Sequence, residues 1–523
     1  MPWPRSSWTL SFVILIVFVG PAPRTSAAQE LEPIVHTVRV PEPGTHVAEV
    51  EARVPTTGRA SIEMMMAVWT PGFYRTEDYA QRVRELSART REGAMLAVEK
   101  TRKNRWRIDA AGTPTVVVSY RLSCEQRSVT TNWVGDDLAV FNGAATFLTP
   151  IEQVRRPHEI RLELPARWKR SMTALDPAPD GAPNHYRAED FDTLADSPIV
   201  AGDPVVREFV VDGSEHSVAD LGDVGPWDGE RAARSLEMIV QENARFWGFL
   251  PFRRYVFLNV FRSGGGGLEH KNSALLTAGT GRGRRPEVNL RWLEFVSHEY
   301  FHAFNVKRLR PVELGPFDYE NPPRTSSLWI SEGLTTYYGD LIVARAGLGG
   351  QENFLASMSA LIGRLQNSPG RLLQTLEQSS LGVWTTGTSG VGQDEAKTVS
   401  YYVKGPVVGF LLDARIRRAT DGKKSLDDLM RLAYERYSRE RGFTPEQFRA
   451  TAEEVAGVDL EEWFRSAIGS TEELDYSEAL AWFGLRFAAA EDPTKAWKLE
   501  LGPDRSDVQK ERLQDLLRPS RRR

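Results

Sequence analysis

A chain of 523 residues is too long for one hydrophobic core, so two or three domains are expected. Its 41% hydrophobic and 26% charged residues are those of an ordinary water-soluble globular protein. With a formal net charge of -4 and Lys and Arg mixed among Asp and Glu, no basic stripe points to nucleic acid, and the terminal RPSRRR reads as a solvated chain end.

The first 28 residues have the layout of a secretory signal peptide. Arg5 precedes the apolar run TLSFVILIVFVG, which is short for a membrane span, and small residues follow, with cleavage expected near Ala27 or Ala28. This predicts an exported protein, periplasmic or secreted, with no membrane span after signal removal. No cysteine near the cleavage point offers a lipid anchor, and the single cysteine, Cys124, has no partner for an intramolecular disulfide, so it reads as a buried inert thiol.

From residue 29 to 212 the pattern is strand-like. IVHTVRV, HVAEVEARV, EMMMAVW, TVVVSYRL and HEIRLEL alternate apolar and polar residues between Pro and Gly punctuation, predicting an N-terminal β-rich domain. At GDVGPWDGERAARSLEMIVQENARFWG the spacing turns helical after a Pro and Asp start signal. YVFLNVF (255–261) is a buried-strand candidate, and helical patterns dominate from Glu287 onward. Residues 213–470 therefore read as a second, α/β-to-α domain, with a short tail over 471–523.

Within the second domain, VNLRWLEFVSHEYFHAFNVKRL lies between Pro286 and Pro311 and reads as one helix. His298 and His302 then sit one turn apart on the same face, where two imidazoles can hold one tetrahedral Zn²⁺. Glu299 projects beside the metal, placed to take a proton from water. Downstream, LWISEGLTTYYGD offers Glu332 as the third ligand, leaving the fourth position open. Glu320, in the Pro-rich FDYENPP, competes for that role, and Asp340 is a candidate to orient a histidine ligand.

HEYFHAFNVKRLRP, LGPFDY, LWISEGLTTYY, GGLEHKNS and SYYVKG, with WTPGFY and VFNGAATF in the β-rich region, together resemble the glycyl aminopeptidase family, peptidase family M sixty-one, of the gluzincin metallopeptidases. The resemblance runs from about Pro33 to Phe487. It implies a multidomain α+β protein in which a thermolysin-like catalytic domain with a helical C-terminal part follows the β-rich domain. The implied activity is a zinc aminopeptidase, one ion per chain, acting on peptides with a free N-terminus and a small first residue, Gly or Ala. Through its motif, Tyr402 matches the tyrosine that donates to the oxyanion, and Glu269, with Gly267 beside it, matches the edge-strand glutamate that binds the substrate's amino group. Read without the family, Tyr401 and Tyr402 are ordinary aromatics and the glycines from Gly264 to Gly267 a flexible turn.

Family members usually continue into a PDZ module, but the residues from about Asp475 are too few for a complete one; this remnant of a lead-in is expected to pack on the catalytic domain or fray. Two other readings of the same scaffold are a thermolysin-type endopeptidase, which needs no Glu269, and a non-catalytic peptide-binding protein.

Overall fold

The computed structural model describes residue 1 and residues 31–262, 265–278, 287–386 and 394–520. The segment expected to be a signal peptide, with Ala27 and Ala28, and also Gly264 and Pro286, lie outside the described residues. Among the described residues no helix is long and apolar enough to cross a membrane.

The alternating segments of the first region become strands of three sheets, the largest an eight-stranded sheet containing Ile34–Arg39, Val47–Pro55, Thr115–Ser123 and His158–Glu163. Their inward residues, among them Val50, Val118 and Ile160, form one core with Phe147. Cys124 is buried there, with its thiol pushed up to about 12 by burial, as an inert cysteine should be.

The second region is built on a mixed five-stranded sheet in the order Val205–Val211, Ser214–Gly222, Arg254–Phe261, Ser273–Ala278, Gly266–Glu269. The expected boundary at 212/213 divides a hairpin, because Val205–Val211 pairs antiparallel with Ser214–Gly222. VVREFVV continues the strand signal of the preceding region, and alternation does not reveal which sheet a strand joins. The helix Gly229–Trp247 is capped by Asp228, which accepts from the Arg231 N–H, and ends at Gly248 in the left-handed region. Gly266–Glu269 is the edge strand, antiparallel to its neighbour.

Helices, and in the tail a two-stranded sheet of Leu485–Phe487 and Leu499–Leu501, make up the remainder of the described residues. The expected long helix is shorter, Leu290–Phe301, with His302 as its C-cap. The Asn305 amide donates to Ile330 O at 2.8 Å and Thr335 Oγ1 at 2.9 Å, tying the chain to the next helix, so the apolar residues after His302 fill buried turns rather than helix. The tail packs: Trp482, Phe483, Leu513 and Leu516 join the main helical core, and Arg345 donates to Leu516 O at 3.0 Å.

Candidate active site

Two helices and a single turn of π-helix bring the three expected ligands together. Leu290–Phe301 carries His298 and ends on His302, while the π-turn Trp329–Gly333 opens the helix Leu334–Arg345 and turns Glu332 inward. Glycines set the spacing. A Cβ on Gly339 would lie 3.2 Å from the His298 Cβ, and one on Gly333 would lie 2.6 Å from the Gly405 Cα. That second contact docks the helix Tyr401–Ala419, and with it Tyr402, against the Glu332 turn.

The donor atoms fit a tetrahedral ion. His298 Nε2 and His302 Nε2 are 2.9 Å apart, and the Glu332 carboxylate lies 3.2 Å from His302 Nε2 and 3.6 Å from His298 Nε2. Ligands about 2.0–2.1 Å from a tetrahedral zinc stand roughly 3.3 Å from one another, which these three distances bracket. Each imidazole turns its other nitrogen away: His302 Nδ1 donates to Asn305 O at 3.0 Å, and His298 Nδ1 lies 3.3 Å from Thr336 Oγ1, whose hydroxyl donates to Glu332 O. Those partners leave both Nε2 lone pairs facing the common point. Glu332 Oε1 is buried, without a hydrogen-bond partner among the described residues. Burial lowers the His302 pKa, but the negative charges of Glu332 and Glu269 outweigh it and raise it, so the carboxylates around the imidazoles favour a cation at this point.

Two sequence alternatives resolve. Glu320 is no ligand; it accepts from Asn104 Nδ2 at 2.8 Å and Arg105 Nε at 2.7 Å, joining its loop to the β-rich domain. Asp340 accepts from Ser357 Oγ, and Thr336 and the Asn305 carbonyl hold the histidines instead. The helix supplied the spacing that suggested Asp340, but a two-turn offset carries it past His298 to the neighbouring helix.

Glu299 is buried, and its pKa is raised first by that burial and then by the charge of Glu269. Gly267 backs directly onto it, since a Cβ there would lie 2.1 Å from Glu299 Oε1. Tyr402 lines the cleft with its ring 6.2 Å from that of His298, whereas Tyr401 is fully buried, which favours Tyr402 within the pair.

Beside the metal donors lies a second corner made from distant segments. Glu269, at the end of the edge strand, is buried, and its Oε1 has no hydrogen-bond partner among the described residues. Lys307 Nζ stands 3.9 Å from that oxygen and 2.9 Å from Asp196 Oδ1, which also lies 3.1 Å from His270 Nδ1. Gly72, at φ +99, closes the corner, because a Cβ there would sit 2.4 Å from Glu269 Oε1. Next to it Tyr74 is buried, with the charges of Glu332 and Glu269 adding to burial in raising its pKa. Sequence reasoning missed Lys307, Asp196, Gly72 and Tyr74. Three of them lie inside the quoted motifs HEYFHAFNVKRLRP and WTPGFY, whereas nothing in the sequence near Asp196 marks it.

The corners open together into a cleft of about 1240 Å³ between the two regions. Val129 and Trp133 of the β-rich region face Trp292 and Phe295 across it, an apolar passage leading to a charged floor.

The family model for the Peptidase M61 N-terminal domain matches residues 36–203, and the model for M61 glycyl aminopeptidase matches residues 291–408. No curated protein matches the chain. Among solved structures, an aminopeptidase N family protein from Idiomarina loihiensis superposes with a TM-score of 0.80 at 26% identity, over 86% of this chain and 78% of that one. An M1 zinc metallopeptidase from Deinococcus radiodurans, bound to a Tyr-Ser-Ala substrate, superposes with a TM-score of 0.51 at 14% identity, over 85% of this chain and 95% of that one, and shares the fold. The matches cover both the β-rich region and the segment that carries His298, His302, Glu332 and Tyr402, and the chain belongs to the M61 glycyl aminopeptidase family of metallopeptidases.

Proposed function

We propose that the protein is an exported zinc aminopeptidase that removes small N-terminal residues, Gly or Ala, from peptides. The observation that carries this reading is Glu269 Oε1, a buried carboxylate oxygen with no hydrogen-bond partner among the described residues, lining the cleft together with the metal donors. Leaving such an oxygen unmatched is costly unless a ligand completes it. A substrate α-ammonium does so, and its charge-assisted bond of roughly 1.5–3 kcal/mol holds the first peptide bond over His298 and His302. Gly72, in contact with that carboxylate, leaves little room behind it and supports a small first residue.

One zinc ion on His298, His302 and Glu332 would supply the acidity that makes water a nucleophile near neutral pH. Glu299 accepts the proton of that water and returns it to the leaving amine. Tyr402 donates its hydroxyl to the oxyanion, a contact of about 3 kcal/mol in comparable sites. The edge strand Gly266–Glu269 offers its outer side to an extended peptide.

The test is a glycyl or alanyl anilide beside its N-acetylated counterpart, with Glu269→Ala as the variant and metal analysis for stoichiometry. Wild type should cleave the free amine and spare the blocked one, and Glu269→Ala should narrow that gap. Equal hydrolysis of both by wild type makes the protein an endopeptidase of thermolysin type; no hydrolysis of either by the zinc-loaded protein makes it a peptide-binding protein. Export is checked by N-terminal sequencing of the mature protein, expected to start near Gln29.

A further inference from the structure

Four residues past His302 the backbone does something a β-branched residue resists: Val306 adopts φ 90. Strain of this kind persists only where the surroundings over-determine it and often marks a function. Here Val306 N–H donates to Leu309 O at 2.8 Å and Lys307 N–H to His302 O at 3.2 Å, pinning the turn from both sides. The result is that Lys307, the next residue, points inward, and its side chain is only 6% exposed.

Its ammonium has three neighbours. It lies 2.9 Å from Asp196 Oδ1, 3.3 Å from Pro71 O and 3.9 Å from Glu269 Oε1, so Asp196 holds it and Glu269 does not. Asp196 is itself fixed. It caps the helix Phe191–Ala195 and accepts from the Lys271 N–H at 2.7 Å and from His270 Nδ1. That helix packs on the VFNGAATF segment so closely that a Cβ on Gly143 would lie 1.9 Å from Leu194 O. Burial works against the charge on Asp196, but Lys307 and His270 more than offset it and keep the carboxylate ionised; burial lowers His270 and leaves it neutral. The Lys307 charge is thus met by Asp196, and Glu269 Oε1 keeps no hydrogen-bond partner among the described residues.

We propose that Asp196, supplied by the β-rich domain, is a positioning residue for amine recognition: by holding Lys307 in an ion pair it keeps that ammonium off Glu269 and leaves Glu269 free for the substrate's α-ammonium. This rests on the aminopeptidase reading of Glu269. Without the Asp196 charge, Lys307 is the nearest cation to Glu269 and takes the place meant for substrate. The β-rich domain thereby completes the exopeptidase site rather than merely flanking it.

The experiment uses full-length zinc-loaded protein and alanyl anilide with its N-acetyl counterpart. Asp196→Asn, nearly isosteric, should lose about ten- to a hundredfold in kcat/KM on the free amine, mainly through KM, with zinc content unchanged. The double variant Asp196→Asn/Lys307→Met removes both members of the pair and restores the single negative charge; it should recover to within about threefold of wild type. A merely structural role for Asp196 predicts the opposite, a double variant no better than the single one, and that result overturns the inference. So does an Asp196→Asn protein that keeps the wild-type preference. Should Asp196→Asn prove too unstable to purify, the double variant decides alone: preference kept supports the inference, preference lost overturns it. Indifference of wild type to acetylation would overturn the aminopeptidase reading and this inference with it, whereas the other two failures overturn this inference alone.

Discussion

The corner of the candidate metal donors and the corner proposed to take the substrate's amine, here the metal corner and the amine corner, adjoin, yet they are built in different ways. His298, His302 and Glu332 come from 35 consecutive residues, the end of one helix, the start of the next and the chain between them, and of their orienting partners Asn305 lies within that stretch and Thr336 four residues beyond it. Gly72, Asp196, Glu269 and Lys307 come from four separate segments and from both regions of the molecule. A corner made within one helix pair is determined by local geometry, because one helical turn sets the histidine spacing. One made from four segments exists only once the domains have docked. The difference implies that damage to the metal corner acts on chemistry and damage to the amine corner on which substrate is accepted.

The strongest way to break that division is at the metal corner itself. His302→Ala should lose metal and all measurable turnover together, checked by metal analysis of the purified variant. Full zinc stoichiometry in that protein would place the metal elsewhere. Glu299→Gln should separate the two properties, retaining metal while losing on the order of a thousandfold in kcat, because the water loses its base. Near-wild-type hydrolysis would remove Glu299 from the mechanism.

Tyr402→Phe comes next and sharpens the boundary between chemistry and selection. Deleting one hydroxyl with little change of shape should lower kcat about a hundredfold with KM nearly constant. Tyr401→Phe is its control, since Tyr401 is fully buried in the helical core. A reversed outcome would exchange their roles.

How legible each corner was in the sequence follows from the same contrast. The histidine pair, with Glu299 beside it, could be read because helical periodicity fixes which side chains share a face; Glu332 was a candidate from a separate segment, with Glu320 competing, and the motif supplied Tyr402 and Glu269. Strands of the β-rich domain were legible from alternation, although their sheet membership was not, and so the boundary at 212 fell inside the hairpin Val205–Val211 to Ser214–Gly222. The helix through His302 was drawn too long because buried turns carry apolar residues as helices do. Lys307 was visible as a letter in a motif, but its partner Asp196 lies 111 residues away, and no period in a sequence reports such a contact.

Gly72→Ala tests the amine corner more gently. The residue stands at φ +99, where an L side chain is strained by about 1–2 kcal/mol, and its Cβ would press on Glu269 Oε1. We expect about a tenfold loss of kcat/KM on the free amine, the metal being retained. A proportionate loss of zinc would show that the two corners are not separable.

The smallest effect on activity belongs to Glu320, chemically the equal of Glu332 and 12 residues before it. Its carboxylate joins Arg105 and Asn104 of the β-rich domain and lies away from the metal donors. Glu320→Gln should therefore keep full zinc and kcat to within about twofold, while lowering stability by about 1–3 kcal/mol through the weakened charge-assisted bonds. The pH dependence carries a sign. Burial raises the Glu320 pKa, but its bonds to Arg105 and Asn104 outweigh burial and set it below the ordinary glutamate value. Its contribution is then present above that ordinary value and disappears as pH falls through the lowered one. The difference in Tm between wild type and Glu320→Gln should accordingly be full at neutral pH and shrink on acidification below the usual carboxylate range. A constant difference across that range would mean that the carboxylate's charge is not what joins the two regions there.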